Sequence, residues 1–191
     1  PSNTCNHSSL AVSPLGAASM SCDTIWGSLV FFNPDGTRTR LPRNLSESFL
    51  AGETQTFWDG TKFGTVYMAD SGWLRLLPDG RTSQTPWIEL LPYDSLAGRT
   101  SFGATWLGTS LALGTAEKGT YLLRRFALPV DPNGAATSLH DPVAVVSTAN
   151  VIGKPEVVAA GATKLLAIWL DSRWGTPGEL YAAPVDLKGC Q

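Results

Sequence analysis

Four carboxylates recur along the chain, each at the end of a strand-like run. They are Asp23, Asp70, Glu117 and Asp171, separated by 47, 47 and 54 residues. At equivalent positions of repeated units, such side chains would converge on one face, where carboxylate oxygens can hold Ca²⁺ or the hydroxyls of a sugar. The alternative is that each carboxylate accepts N–H groups of its own turn. The spacing thus gives a candidate ligand site, with Ca²⁺ as a candidate cofactor.

The stretch AIWLDSRWG, residues 167–175, places two further side chains beside the last carboxylate. We expect Asp171 to cap a hairpin, Arg173 to pair with it or with a neighbouring sheet, and Trp169 to pack between sheets. Trp174 follows in the loop, where an aromatic ring beside a guanidinium can stack on a sugar or on a peptide side chain. Arg173 and Trp174 therefore join the candidate ligand site, with a partly buried structural Trp174 as the alternative.

Motifs for catalysis are weak. The two histidines, His7 and His140, stand in no Ser or Cys nucleophile motif, and His140-Asp141-Pro142 is typical of a turn. The sialidase-type box S-x-D-x-G-x-T-W is absent. A carboxylate pair such as Asp59 with Asp70 keeps a glycoside hydrolase open as an alternative. The residues favour a binding protein over an enzyme, and we assign no catalytic residue.

The charge balance and the apolar runs restrict the partners. The 191 residues include 14 basic and 16 acidic side chains, a net charge of −2, so no strong field attracts nucleic acid or an anionic membrane. No apolar run approaches the roughly 20 residues that span a bilayer, and PSNTCNHSSL at the start is unlike a signal peptide. We expect a mature secreted or cell-surface protein without membrane insertion.

Internal repetition indicates which elements position these residues. A turn phrase recurs as NPDG at 33–36, LPDG at 77–80, DPNG at 131–134 and DLKG at 186–189. A second glycine series precedes it by 20, 20, 26 and 28 residues, at Gly16, Gly60, Gly108 and Gly161. Short β-type runs lie between the turns, and no window shows a helical period. The chain is therefore predicted to be all-β, with four repeated units.

Four-stranded units of about 40 to 50 residues have the size of β-propeller blades. The run KLLAIWL at 164–170 is nearly continuously apolar, which is typical of a strand covered on both faces. We expect one propeller domain over 1–191. Its four blades of four antiparallel strands are predicted near 8–45, 46–95, 96–149 and 150–191. An arc completed by a second copy or another chain, and an all-β sandwich, are the alternatives.

The last unit lacks a fourth strand, because only LKGCQ follows its third. We expect residues 1–7 to supply that strand and close the blade, which would place Cys5 beside Cys190. The sequence then predicts a Cys5–Cys190 disulfide, with Cys5–Cys22 as the alternative. In the chain-entropy model a loop of this length contributes about 4 to 5 kcal/mol.

The last unit also resembles a known repeat. Its sequence PEVVAAGATKLLAIWLDSRWGTPGELYAAPVDLKG is similar to the W-x-D-x-R blades of secreted bacterial β-propellers. The resemblance is moderate in the second unit and limited to turn spacing in the first and third. It implies a propeller, but these repeats serve many contexts. Because the residues form no recognisable catalytic constellation and the candidate ligand site would line one face of the propeller, we expect a binding module for a carbohydrate or protein ligand. A structural subunit of a larger extracellular assembly and a propeller-fold glycoside hydrolase are the alternatives.

Overall fold

The described residues form four antiparallel sheets that follow one another in sequence. The computed structural model describes residues 8–22, 28–38, 43–44, 54–68, 74–77, 88–91, 101–129, 136–147, 150–175 and 178–189. The regular structure in these ranges is β-strand, with one short 3₁₀ helix at Leu187–Gly189. No helix in the same ranges is long and apolar enough to cross a membrane. The prediction of an all-β fold is confirmed.

Two compact units make up the chain. One comprises Pro1–Ser95 with Pro129–Ala135, and the other comprises Leu96–Leu128 with Ala136–Gln191. The first unit contains the first and second sheets, and the second unit contains the third and fourth. A single propeller domain over 1–191 stays a prediction.

The first unit is built from two four-stranded sheets. In the first sheet the order is β1 (Ser8–Val12), β2 (Ala18–Cys22), β3 (Ser28–Phe32) and β4 (Arg43–Asn44). In the second it is β5 (Thr54–Trp58), β6 (Phe63–Met68), β7 (Leu74–Leu77) and β8 (Ile88–Leu91). The two sheets pack together where β1 meets β5. There the Thr56 backbone N–H donates to Ser9 Oγ at 2.8 Å.

The third sheet has a divided outer strand. Its first three strands are β9 (Ser101–Trp106), β10 (Leu111–Glu117) and β11 (Thr120–Ala127). Two short strands, β12 (Thr137–Ser138) and β13 (Val143–Val146), then pair with opposite ends of β11. The run PVAVVST at 142–148 predicts β13, whereas no run of the sequence indicates β12. The interruption falls at Pro142, which has no N–H to donate to β11.

The fourth sheet has three strands among the described residues: β14 (Val151–Ala159), β15 (Lys164–Asp171) and β16 (Glu179–Asp186). Strand β14 begins at Val151, whereas the sequence predicted a start near Pro155. Its register shifts between Ile152 and Glu156, a bulge that accommodates Gly153 and Pro155 within the strand. Residues 1–7 and Cys190 lie outside the described residues, so the closing strand and the Cys5–Cys190 disulfide stay predictions.

The repeated glycines and turn phrases have a common local cause. Gly16, Gly60, Gly108 and Gly161 each lie in the turn between the first and second strands of a sheet. In the NPDG phrase, Gly36 has a left-handed φ of 83°, which a glycine adopts without strain. Asp35 Oδ1 accepts the Thr37 backbone N–H at 2.9 Å. For the four glycines and for the NPDG phrase, the repetition in the sequence is therefore a repetition of turn chemistry, whereas LPDG and DPNG extend outside the described residues.

The core of the second unit lies between its two sheets, around Tyr121, Leu123, Leu165 and Trp169. Two glycines permit a close approach of β14. Gly103 and Gly114 are paired across β9 and β10, and a Cβ on Gly103 would lie 2.5 Å from the Pro155 carbonyl oxygen. The third sheet therefore carries no side chain at the two positions where β14 packs against it most closely.

Candidate functional site

Two strand ends that carry predicted site residues come together in the second unit. Glu117 ends β10, and Asp171 ends β15. The Val151 backbone N–H donates to the Gly119 carbonyl oxygen at 2.8 Å, and Val151 is also the cross-strand partner of Asp171. The β10–β11 and β15–β16 connections therefore lie at the same end of the third and fourth sheets. We call it the hairpin end, residues 117–119 and 171–175 with Glu179.

Asp171 closes the turn after β15, as the turn-capping alternative predicted. Its Oδ1 accepts the backbone N–H of Arg173 at 2.9 Å, and its Oδ2 accepts a hydrogen bond from the Arg173 guanidinium. The Asp171 side chain is fully buried, and that of Arg173 is 32% exposed. The hydrogen bond from Arg173 lowers the pKa of Asp171 to about 2. Asp171 therefore remains ionised and holds the Arg173 side chain in place.

Arg173 also belongs to a line of stacked side chains. Its guanidinium carbon lies 5.2 Å from the centre of the Tyr181 ring. The Tyr181 ring stacks on Trp169 with centroids 5.9 Å apart, and Trp169 meets the edge of Tyr121 at 5.9 Å. Tyr121 is fully buried, and its hydroxyl donates to the Glu156 carbonyl oxygen at 2.8 Å. The line anchors a surface guanidinium in the core.

Trp174 differs from the buried aromatic residues of this line. It is 78% exposed, so the alternative of a partly buried structural Trp174 is wrong. Its neighbour Tyr181 donates its hydroxyl to Glu179 Oε2 at 2.9 Å. That bond raises the pKa of Tyr181, whereas the nearby Trp174 side chain acts in the opposite direction. We call Arg173, Trp174 and Tyr181 the Trp174 platform, with Glu179 at its rim.

Glu117 has a different environment from Asp171. Its carboxylate forms an ion pair with Arg124 at 2.5 Å, and it also accepts the Thr115 hydroxyl at 2.5 Å. The side chains of Arg124 and Glu117 are 9% and 16% exposed. The turn itself is made by Lys118 and Gly119, which have φ values of 50° and 78°. Glu117 thus ties β10 to β11 through side chains instead of capping its own turn.

The other predicted positions are only partly described. Asp23 and Asp70 lie outside the described residues, so a ring of four carboxylates stays a prediction. Asp59 Oδ1 accepts the backbone N–H groups of Thr61 and Lys62, each at 2.8 Å, and so caps the β5–β6 turn. In the part of the chain that the structure covers, no group of three or more His, Cys, Asp or Glu side chains could hold a metal ion.

His140 lies in the bend between β12 and β13, where the sequence predicted a turn. Its side chain is buried, and Nδ1 lies 2.6 Å from the Asp141 carbonyl oxygen. This contact with a backbone carbonyl fixes the ring within the bend.

Sequence reasoning missed three side chains that belong to the hairpin end or contact it: Glu179, Tyr181 and Arg124. Two of them could have been found from strand pairing, because Tyr181 is the cross-strand partner of Trp169 and Glu179 that of Asp171. Arg124 lies across from Leu113 and reaches Glu117 diagonally along the sheet, so sequence spacing does not indicate the contact.

No protein-family model matches the chain, and no curated protein matches its sequence. Among solved structures, the chain is similar to one from a study of two prolyl endopeptidases, with a TM-score of 0.53. The similarity covers 96% of this chain at 12% identity, and the chain spans 28% of that protein's length. At this identity the likeness concerns the fold alone. The resemblance to bacterial propeller repeats stays a prediction.

Proposed function

We propose that the chain is a β-propeller binding module, secreted or at the cell surface, whose ligand is a carbohydrate held at the hairpin end. The Trp174 platform is the observation that carries this proposal. Trp174 is 78% exposed, beside an Arg173 that Asp171 and Tyr181 hold in position. An exposed aromatic ring on rigid supports loses little conformational freedom when a ligand stacks on it.

The chemistry around Trp174 suits a sugar. The apolar face of a pyranose ring can stack on an indole, and its hydroxyl groups need hydrogen-bond acceptors and donors at the edge of that ring. The Glu179 carboxylate and the oxygen of Tyr181, whose O–H is already donated to Glu179 at 2.9 Å, supply acceptors, and the Arg173 guanidinium supplies N–H donors. A peptide side chain stacked on Trp174 is the second candidate, because Arg173 beside it offers N–H groups to carbonyl oxygens.

The propeller is proposed from the repetition of the sheets. Four sheets follow in sequence order, with the first-to-second-strand glycines at equivalent positions. In each unit, neighbouring sheets stack through their first strands, β1 on β5 and β14 on β9. A propeller repeats such sheets radially, each sheet packing on the next in chain order, and the packing of consecutive sheets within each unit supports this arrangement.

Binding can be tested on a glycan array, with and without Ca²⁺, beside a peptide array. The wild-type protein is compared with Trp174→Ala and with Leu139→Ala, a control that removes another exposed apolar side chain of the same unit. We expect glycan binding that Trp174→Ala abolishes and Leu139→Ala retains.

Three results would contradict the proposal. Glycan binding that survives Trp174→Ala would exclude the hairpin end as the site. Binding confined to the peptide array would replace the carbohydrate with the second candidate. Binding on neither array would remove the binding function and favour a structural role.

A further inference from the structure

The rim of the Trp174 platform carries a carboxylate that has no basic partner. Glu179, the first residue of β16, is exposed and accepts the Tyr181 hydroxyl at 2.9 Å. Tyr181 stays neutral, because the hydrogen bond to Glu179 and the Glu179 charge raise the pKa of its hydroxyl. Among the residues that the structure describes, Glu179 forms no ion pair. A negative charge beside the exposed Trp174 is therefore left unbalanced.

The other carboxylates of strands β14–β16 each lie beside a basic side chain of the same sheet. These pairs are Glu156 with Lys154 at 3.1 Å, Asp171 with Arg173, and Asp186 with its cross-strand partner Lys164. Glu179 is the exception within these three strands, and it is the carboxylate that lies at the Trp174 platform. The lack of a basic partner is thus a local property of the platform.

Arg173 does not balance the charge of Glu179. Its guanidinium is paired with Asp171, whose side chain is fully buried and so has no solvent to neutralise it. The hydrogen bond from Arg173 lowers the pKa of Asp171 to about 2, and the pair stays ionised at neutral pH. Lys118, the exposed lysine of the hairpin end, lies beyond β14, and β15 separates β14 from β16. The platform as a whole is therefore negative.

An ammonium group complements such a rim. It carries a positive charge and three N–H donors, whereas the oxygens of an ionised carboxylate only accept hydrogen bonds. Hydrogen bonds between ionised groups are about twice as strong as those between neutral groups. A ligand carboxylate would instead be repelled by Glu179. The exposed indole of Trp174 favours the same ligand charge, because Trp is the aromatic side chain that attracts cations most strongly.

We propose that the ligand of the Trp174 platform is an amino sugar, whose ring stacks on Trp174 and whose ammonium group donates to the Glu179 carboxylate. This inference rests on the carbohydrate binding proposed above and narrows it to glycans with free amines. A lysine side chain of a peptide offers the same ammonium group, but its flexible stem loses more conformational freedom on binding than a sugar ring does. The rigid platform therefore favours the sugar.

Calorimetry with three matched oligosaccharides tests the ammonium group. Chitosan, chitin and cellulose oligomers of the same length share one backbone and differ in one substituent of each ring, which is an ammonium, an acetamide or a hydroxyl. At about pH 6, carboxylates are ionised and amines are protonated. We expect the chitosan oligomer to bind the wild type at least about fivefold more tightly than the other two. Added salt should reduce this preference, because salt screens exposed charges.

Glu179→Gln removes the charge but keeps an oxygen that can accept the Tyr181 hydroxyl. It should bring the three affinities within about twofold of one another, because the hydrogen bonds that remain are neutral. Glu156→Gln is the control. Glu156 is the cross-strand partner of Ile168, so it lies on the opposite face of the sheet from Trp169 and the platform. This variant should keep the preference for the chitosan oligomer.

Two results would overturn the amino sugar and leave the carbohydrate site in place. One is equal affinity of the wild type for the three oligomers, with binding that Trp174→Ala abolishes. The other is a preference for the chitosan oligomer that Glu179→Gln retains. Tighter binding of a lysine-containing peptide would overturn the inference in favour of a peptide ligand. Binding of no oligomer, or binding that Trp174→Ala leaves unchanged, would contradict the proposed function as well.

Discussion

At the scale of single residues, the charge on Asp171 has a consequence for stability at low pH. Its pKa is lowered from 3.8 to about 2 by the hydrogen bond from Arg173. A carboxyl whose pKa is depressed by folding contributes stability that is complete above its unfolded pKa and is lost as the pH falls through the folded value. For Asp171 that window lies between about pH 4 and pH 2.

Asp171→Asn should therefore be less stable than the wild type at pH 7, with the difference shrinking as the pH falls from 4 to 2. The amide keeps the size of the side chain but lacks the charge that Arg173 stabilises. Thermal unfolding followed by circular dichroism at several pH values measures both proteins. Parallel curves over the whole range would show that the Arg173 contact does not stabilise the folded state.

Glu117 is expected to act on stability through Arg124. Removing one partner of a buried ion pair leaves an uncompensated charge, so Glu117→Ala should lower the free energy of unfolding by about 3 kcal/mol. Arg124→Met added to Glu117→Ala removes that charge and should recover part of the loss. Urea unfolding measures all three proteins. If the double variant is less stable than Glu117→Ala, the buried charge is not the cause of the loss.

The sequence predicted part of this chemistry. A carboxylate at the end of an apolar run, two residues before an Arg, was sufficient to predict the Asp171 cap and its Arg173 partner. Glu117 stands at the equivalent place but forms an ion pair with Arg124, seven residues away. That choice depends on which side chains share a sheet face, and therefore on register, which spacing along one strand does not fix.

At the scale of secondary-structure elements, Gly103 determines how closely β14 approaches the third sheet. A methyl group on Gly103 would lie 2.5 Å from the Pro155 carbonyl oxygen and 2.9 Å from Glu156 Cα. Both are backbone atoms of β14, whose edge is hydrogen-bonded to β15. Gly103→Ala should therefore force the two strands apart and cost about 1 to 3 kcal/mol of unfolding free energy.

Guanidinium chloride unfolding tests this, with Thr109→Ala in the exposed β9–β10 turn as the control, expected to change stability by at most about 0.5 kcal/mol. A Gly103→Ala protein as stable as the control would mean that β14 does not approach the third sheet so closely.

Elements were predicted well where a turn signal bounds an apolar run. The second predicted blade, residues 46–95, has runs separated by Gly, Asp and Pro, and it corresponds to β5–β8. Prediction failed where a strand contains a residue that usually ends one. Gly153 and Pro155 concealed the start of β14, and Pro142 concealed the pairing of β12 with the same edge as β13. In both places sheet pairing overrides a local preference.

At the scale of the whole molecule, the repeats divide the chain into surfaces with different roles. The hairpin end carries charged and aromatic side chains and is proposed to bind a ligand. Internal repetition predicts the position of the hairpin end, because equivalent positions of successive sheets either stack on a neighbouring sheet or lie at a strand end.

The most direct test of the ligand proposal is a calorimetric comparison of the best array glycan on Trp174→Ala, Trp174→Phe and the wild type. Aromatic stacking contributes about 0.5 to 1.5 kcal/mol beyond burial, so loss of the whole ring should weaken binding at least about tenfold. Trp174→Phe keeps a stacking ring and should stay within about threefold of the wild type. Equal affinity of Trp174→Ala and the wild type would contradict the assignment of the hairpin end as the ligand site.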